Sequence, residues 1–289
     1  MNTGAVFVCA APYSGSTLLG VMLGAHPSIF CAGEARNSRY LGDPSTPLKR
    51  RVCKLCGPDC VVWGNLRVEH RDGPYEISLE HEKDLYEMLS RRTKRPIVCD
   101  SSKRIGWIKY QVAALHDVVP LHLIVLARDG RAVVNSRLCK RPEIPAREHA
   151  AAWVERIHRI EELASRWPGA VHRMRYEELA SRPESTLRAL ADFLGIAFDP
   201  AMLNPWNSDQ HPLGGNAGPL LLLLRERASS IVTGVINPND RARAWYGAHP
   251  CAIVLDLRWK HELSAEALAM FEEVAGETNR AYAWEESVE

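Results

Sequence analysis

The chain has 289 residues, 46% of them hydrophobic and 25% charged, close to the average for a soluble globular protein with room for a substantial buried core. Its 36 Lys and Arg against 35 Asp and Glu leave a net charge of +1, which argues against a global basic footprint for nucleic acid but leaves room for a local basic pocket. The longest wholly apolar leucine stretch, Leu220 to Leu224, is far short of the roughly 20 residues of a spanning helix, so no membrane span is expected.

The opening MNTGAVFVCAAPYSGS has no basic leader ahead of its apolar stretch. That stretch therefore reads as a first strand, and the expectation is a cytoplasmic protein whose 8 cysteines are mostly reduced thiols. Ala5 to Ala10 is a short apolar run, and Pro12 to Gly15 breaks it. Leu18, Leu19, Met22 and Leu23 are then spaced for the inner face of a helix over Ser16 to Gly24. Residues 42 to 75 are rich in Pro, Gly, Cys and Arg with little periodicity, and read as an irregular insertion on the acceptor side or a lid.

A helix is expected from about Leu79 to Arg92, then a strand from Pro96 to Cys99. Leu121 to Ala127 (LHLIVLA) is almost continuously apolar, as a parallel strand covered on both faces requires. A helix follows from about Arg131. Trp153, Ile157, Ile160, Leu163 and Trp167 mark a long amphipathic helix, and Val171 to Arg175 a strand. Pro183 opens a helix carrying Leu187, Leu190, Phe193 and Leu194, which Gly195 closes. Ser264 caps a last helical segment, at about 262–284. Alternating strands and helices, with no repeat and no low-complexity segment, predict one α/β domain over 1–289, a central parallel sheet flanked by helices.

Two segments carry chemistry. In APYSGSTLL (Ala11 to Leu19), Gly15 permits tight curvature while Ser14, Ser16 and Thr17 add hydroxyls beside the amides of a helix start, together an anion site. Nucleotide triphosphatases of the P-loop type need a Lys after the second Gly of GxxxxGK[ST]; here Ser16 and Thr17 follow Gly15, which disfavours ATP or GTP hydrolysis. In LARDGRAVVNS (Leu126 to Ser136), Arg128 stands where a central strand ends and Ser136 follows eight residues later on the next helix. The two can converge on one phosphate, with Asp129 and Arg131 supporting the turn.

With these motifs the sequence resembles the sulfotransferases that use 3'-phosphoadenosine 5'-phosphosulfate (PAPS). Their 5'-phosphosulfate loop is similar to PxSGTT or PxSGST and their 3'-phosphate motif to RDxRAxxxS, in the order found here. HRMRYEELASRPESTLRALADFLGI, ending at Ile196, resembles their YExLxxxPxxxLxxLxxFLG segment. The resemblance spans most of residues 5 to 196 and is nearest to tyrosylprotein and carbohydrate enzymes and their bacterial relatives. It implies a P-loop-like α/β fold, PAPS as donor with adenosine 3',5'-bisphosphate (PAP) as product, and no metal requirement. By the same resemblance Ser14, Gly15, Ser16 and Thr17 hold the 5'-phosphosulfate, with Tyr13 and Leu18 beside them. Arg128 and Ser136 bind the 3'-phosphate, and Tyr176 lies near the nucleotide.

Sulfuryl transfer needs a group to take the acceptor proton and cations to offset charge on the leaving phosphate. Glu34, eight residues past His26, matches the position of the catalytic Glu in tyrosylprotein sulfotransferases and is the expected base, with His26 the alternative. The family often carries Lys or Arg immediately after the loop's Pro, where this chain has Tyr13. The missing charge is assigned to Lys103, in VCDSSKR after a strand end, where such sheets place ligands and similar enzymes carry a reactive-site Lys.

Cys53, Cys56 and Cys60 (CKLCGPDC) are followed by Trp63. A zinc site needs a fourth ligand, for which Cys31, Cys99 and His70 are the candidates; with only one CxxC pair the favoured reading is metal-free thiols or a labile disulfide. His211 to Gly218 (HPLGGNAG) reads as a flexible loop able to approach a nucleotide, although no basic residue follows Asn216 closely. The acceptor is a small-molecule, saccharide or peptide hydroxyl that nothing in the sequence names. Trp63, Trp107, Trp206 and Trp245 suit core or sugar platform alike. The competing readings are a kinase-like phosphotransferase and a PAP-binding pseudoenzyme.

Overall fold

The computed structural model describes residues 2–70, 73, 78–79, 84–226 and 234–285. Among them are strands β1 (Gly4–Ala10), β2 (Ile29–Cys31), β3 (Val68–His70), β4 (Ser78–Leu79), β5 (Ile97–Asp100), β6 (Leu121–Ala127) and β7 (Ala170–Arg175). Five of these form one all-parallel sheet in the order β2-β5-β1-β6-β7, and β3 pairs with β4 apart from it. The chain thus adopts the α/β architecture its sequence predicts, a central parallel sheet flanked by helices.

Every residue of β1 is buried, because helices cover the sheet and leave its middle strand no solvent face. Helix Ala146–Ser165 packs on β1 and β6, helix Ser16–Gly24 on β1, β2 and β5, and helix Leu85–Thr93 on β2 and β5. The last helix, Ala265–Asn279, closes a second cluster around Trp153, whose ring lies 6.0 Å from that of Phe271. Truncating a fully buried Trp of this kind costs about 3–5 kcal/mol.

Several boundaries differ from the periodicity-based expectations, each for a local reason. The helix expected from Leu79 starts at Leu85, where the Asp84 carboxylate accepts from the amides of Tyr86 and Glu87; residues 80–83 lie outside the described residues. The amphipathic helix stops at Ser165, short of Trp167, since Pro168 disfavours helical backbone in the residue before it. Helix Gly130–Leu138 begins one residue early because Asp129 caps it, and Ser264 and Gly195 cap as expected.

Strand β2 and helices Ile105–Leu115, Tyr176–Ser181, Ala217–Glu226 and Asp240–Ala248 were not anticipated. Three residues of strand carry no period, and the run Leu220–Leu224 has no polar face to reveal one. Helix Ser16–Gly24 is buried on all sides rather than on one face. The turns at Pro200–Leu203 and Pro205–Asn207 and helix Ala217–Glu226 cover the side away from the sheet.

Candidate active site

Parallel strands bring all their carboxyl ends to one edge, and each of the five sheet strands delivers a candidate residue there. Tyr13 to Leu18 follow β1, Glu34 follows β2, Lys103 follows β5, Arg128 follows β6 and Tyr176 follows β7.

The loop after β1 turns through two left-handed residues, Tyr13 (φ 70°) and Gly15 (φ 86°), which aims the first amides of helix Ser16–Gly24 outward. Gly15 is required by more than its φ. A β-carbon there would stand 2.5 Å from Cδ2 of Tyr176, whose ring lies against the loop. Ser14, Ser16, Thr17 and Leu18 are all buried, and the Ser14 hydroxyl has no partner within the protein.

Arg128 ties the second motif to the first. Its guanidinium donates to the Tyr13 carbonyl at 2.8 Å and to the Asp256 carbonyl at 2.9 Å, and lies over the Tyr176 ring at 4.4 Å. Its Nε, although buried, has no protein partner. The Asp256 carboxylate is 3.4 Å from Arg128 and holds Arg258 bidentately, both oxygens at 2.8 Å. Burial pushes the Asp256 carboxyl up, but the hydrogen bonds from Arg258 and the charges of Arg128 and Arg258 outweigh it and hold it well below the usual range. Tyr176 donates to the Val254 carbonyl, and burial pushes its hydroxyl up to about 12.

Arg128, Tyr13, Gly15, Thr17, Leu18, Ser136 and Tyr176 all line one cleft that is partly open to solvent. Its far wall is built from residues 237–258, including Arg241, Trp245 and Arg258, with Arg258 stacked 4.1 Å over Trp245. Of this wall only Trp245 stands out in the sequence, as an aromatic residue suited to core or sugar platform alike. The only other signal was an unassigned density of Arg and aromatic residues, with no motif spacing to give it direction.

Glu34 and Lys103 lie off that cleft and meet each other. Lys103 Nζ is 3.0 Å from Glu34 Oε1 and 3.2 Å from the Ser16 hydroxyl. Asp100, fully buried at the end of β5, braces both segments. Its carboxylate accepts from the Ala35 amide beside Glu34 and the Ser102 amide beside Lys103, and also from Tyr86 and Trp107. Lys103 has a left-handed backbone (φ 60°), and its carbonyl accepts from Arg156, which also donates to the Ala10 carbonyl at 3.1 Å. Arg156, half-buried on helix Ala146–Ser165 beside the apolar stripe, carries no motif that marks it in the sequence.

His26, the alternative base, is spent on structure: Nε2 lies 2.9 Å from the Ala197 carbonyl and Nδ1 accepts from the Ser28 amide. The 211–218 loop does reach the site. The Asn216 amide donates to the Thr17 hydroxyl at 2.9 Å, and Gly214 packs so closely on Glu34 that a β-carbon would lie 2.9 Å from its Cβ. Trp63 and Trp107 are core, Trp206 is buried at the cleft wall, and Trp245 lines the cleft. All eight cysteines are free thiols, so the disulfide reading of the CKLCGPDC segment is not realised. Neither Cys31 nor Cys99 approaches that segment; they face each other across β2 and β5. His211 approaches it instead. The side chain of His70 lies outside the described residues.

Comparisons with known proteins place the chain in a family and match its fold. The family model described as the sulfotransferase family matches residues 5–200. Protein-tyrosine sulfotransferase A of Caenorhabditis elegans is 23% identical over 260 residues, covering 87% of this chain and 63% of the relative. Protein-tyrosine sulfotransferase 1 of Danio rerio is 24% identical over 265 residues, covering 87% and 68%. The chain therefore spans about two thirds of the length of these curated relatives. In fold it is similar to the sulfotransferase domain of a Synechococcus olefin synthase (TM-score 0.57, 21% identity, 98% of this chain and 96% of that one). It is likewise similar to the sulfotransferase domain of the curacin biosynthetic pathway (TM-score 0.56, 20% identity, 94% and 98%).

Proposed function

The chain belongs to the sulfotransferase family, whose enzymes move sulfuryl groups, and on that footing we propose that it transfers the sulfuryl group of PAPS to an acceptor hydroxyl. The observation that carries the reading is the joining of the two anion-binding motifs: Arg128 is bonded to the carbonyl of Tyr13 within the phosphate loop, and both line one cleft. One buried polar atom in each motif, Ser14 Oγ and Arg128 Nε, has no protein partner, which suits a site made to receive an anion at each motif. Ser14 to Thr17 and the helix amides would hold the 5'-phosphosulfate, and Arg128 with Ser136 the 3'-phosphate. Tyr13, Leu18 and Tyr176 would flank the nucleotide.

The reaction is an in-line displacement. The acceptor oxygen bonds to sulfur as its proton passes to the Glu34 carboxylate, the bond from sulfur to the phosphate oxygen breaks, and a sulfate ester and PAP result. Lys103 stands beside Ser16 where negative charge grows on the leaving phosphate, and so supplies the cation that Tyr13 does not. Its placement favours an active enzyme over a pseudoenzyme. A tyrosyl peptide is the first acceptor to test, since the relatives named above are protein-tyrosine sulfotransferases. Among the described residues no helix is long and apolar enough to cross a membrane. A reducing, cytoplasmic setting is the reading its free thiols favour.

Calorimetry with PAP against Mg·ATP tests the donor site. Tight binding of the bisphosphate alone is expected; tight binding of Mg·ATP with none of the bisphosphate would overturn the reading in favour of a kinase-like enzyme.

A further inference from the structure

The thiols Cys53, Cys56 and Cys60 converge with His211, and the four ligand atoms all lie within 4.8 Å of one another. His211 Nδ1 is 3.2 Å from the Cys56 sulfur and 3.4 Å from that of Cys60. A tetrahedral zinc with Zn–S of roughly 2.3 Å and Zn–N of roughly 2.0 Å has ligand-to-ligand edges of about 3.5–3.8 Å, which four atoms already this close reach with small side-chain adjustments. We propose that these residues form a closed Cys₃His structural zinc site that clamps the 211–216 loop against the active site. The proposal concerns metal binding and does not depend on the donor or acceptor.

The surroundings are those of a metal site rather than of three spare thiols. His211 Nε2 is 3.1 Å from the Asp209 carboxylate, the pairing that fixes the tautomer in which Nδ1 is free to ligate. Backbone amides of Val62 and Trp63 donate to the Cys60 sulfur, and Gly57, with φ 71°, turns the chain after CxxC. Cys53 and Cys60 are buried, and the Trp63 indole N–H donates to the His211 carbonyl. Four protein ligands leave no open position, so the site would be structural rather than catalytic.

Its position gives it a purpose. The Lys54 amide donates to the Pro212 carbonyl, the Leu213 amide to the Ala32 carbonyl and the Glu34 amide to the Leu213 carbonyl. Gly214 then packs on Glu34, and the Asn216 amide reaches Thr17. A metal held by His211 at one end and by the cysteine segment at the other would fix this path, which touches both the proposed base and the phosphate loop.

The test is metal analysis of the full chain purified without chelator from zinc-supplemented culture. One zinc per chain is expected, released by a thiol-directed mercurial and detected with a metal-sensitive dye. Replacement by cobalt should give the visible bands of a tetrahedral, thiolate-rich site. Cys56→Ser and His211→Ala should each lower zinc retention at least tenfold. If either variant fails to fold, the wild-type stoichiometry and cobalt spectrum still decide. Wild-type protein that folds without metal, with all three thiols reacting freely or with two joined in a disulfide, would overturn the proposal. Hydrogen exchange at 211–216 should rise on zinc removal; unchanged exchange would overturn the clamp.

Discussion

Lys103 Nζ stands 3.0 Å from Glu34 Oε1, an ion pair between residues 69 positions apart that the parallel sheet brings to the same edge. The lysine also contacts Ser16 of the phosphate loop, so one side chain links the proposed base to the proposed leaving-group site. Lys103→Ala should lower kcat about 10²–10³-fold, the usual loss for one preorganised charge-stabilising donor. Glu34→Gln should lower it about 10²–10⁴-fold, as for removal of a general base. The Kd for PAP should stay within a few-fold in Glu34→Gln, whereas Lys103→Ala should weaken it, since PAP carries the phosphate beside which Lys103 stands. Steady-state kinetics with calorimetry check this; unchanged kcat in either variant would remove that residue from the chemistry.

Arg156 acts through the backbone of Lys103. It donates to the carbonyls of Lys103 and Ala10, holding the left-handed residue in place from a neighbouring helix. Arg156→Met should cut kcat roughly tenfold or more, as misplacement of a catalytic group by a fraction of an ångström does. Arg156→Lys should recover part of the loss. An equal fall in thermal stability and in rate for both variants would instead mark a purely structural role.

Gly15→Ala should damage the donor site twice over. A left-handed backbone costs a non-glycine residue about 1–3 kcal/mol, and the added carbon would meet the Tyr176 ring at 2.5 Å. A fall in PAP affinity of about tenfold to a hundredfold is expected. Gly195→Ala is the control. It shares a positive φ (67°) but meets nothing within 4 Å, so it should lower stability modestly and leave the Kd for PAP unchanged.

Both proposed phosphate motifs stand out in the sequence because each is local: its residues lie within nine positions of one another and follow a recognisable strand. The proposed base and cation are suggested by resemblance, since nothing local says that Glu34 and Lys103 meet. What stayed hidden depends on distant partners. The wall at residues 237–258 has no period or motif, and Asp100 and Arg156 gain their roles only from the segments they brace. His211 was read as part of a flexible loop because 151 positions separate it from Cys60.

Stability should carry a pH signature from Glu177. Burial pushes its carboxyl up to about 7, partly offset by the hydrogen bond from the Asp129 amide. The folded state therefore binds a proton that the unfolded state has released between pH 4.5 and about 7, so this contribution is fully present below pH 4.5 and is lost as pH rises through that window. In denaturant titrations across pH, the stability of the wild type relative to Glu177→Gln should decline from pH 4.5 to about 7 and then level off. A difference that does not vary with pH would show that Glu177 keeps an ordinary carboxyl.

The most direct test of the whole account is transfer of labelled sulfate from PAPS to a panel of tyrosyl-peptide, saccharide and small-molecule hydroxyls. The account predicts a labelled sulfate ester on at least one acceptor, one PAP formed per ester, and loss of the label in Lys103→Ala and Glu34→Gln. Absence of transfer to every acceptor by a protein that binds PAP tightly would contradict it and mark a binding protein. Transfer unaffected by either substitution would contradict the assigned chemistry.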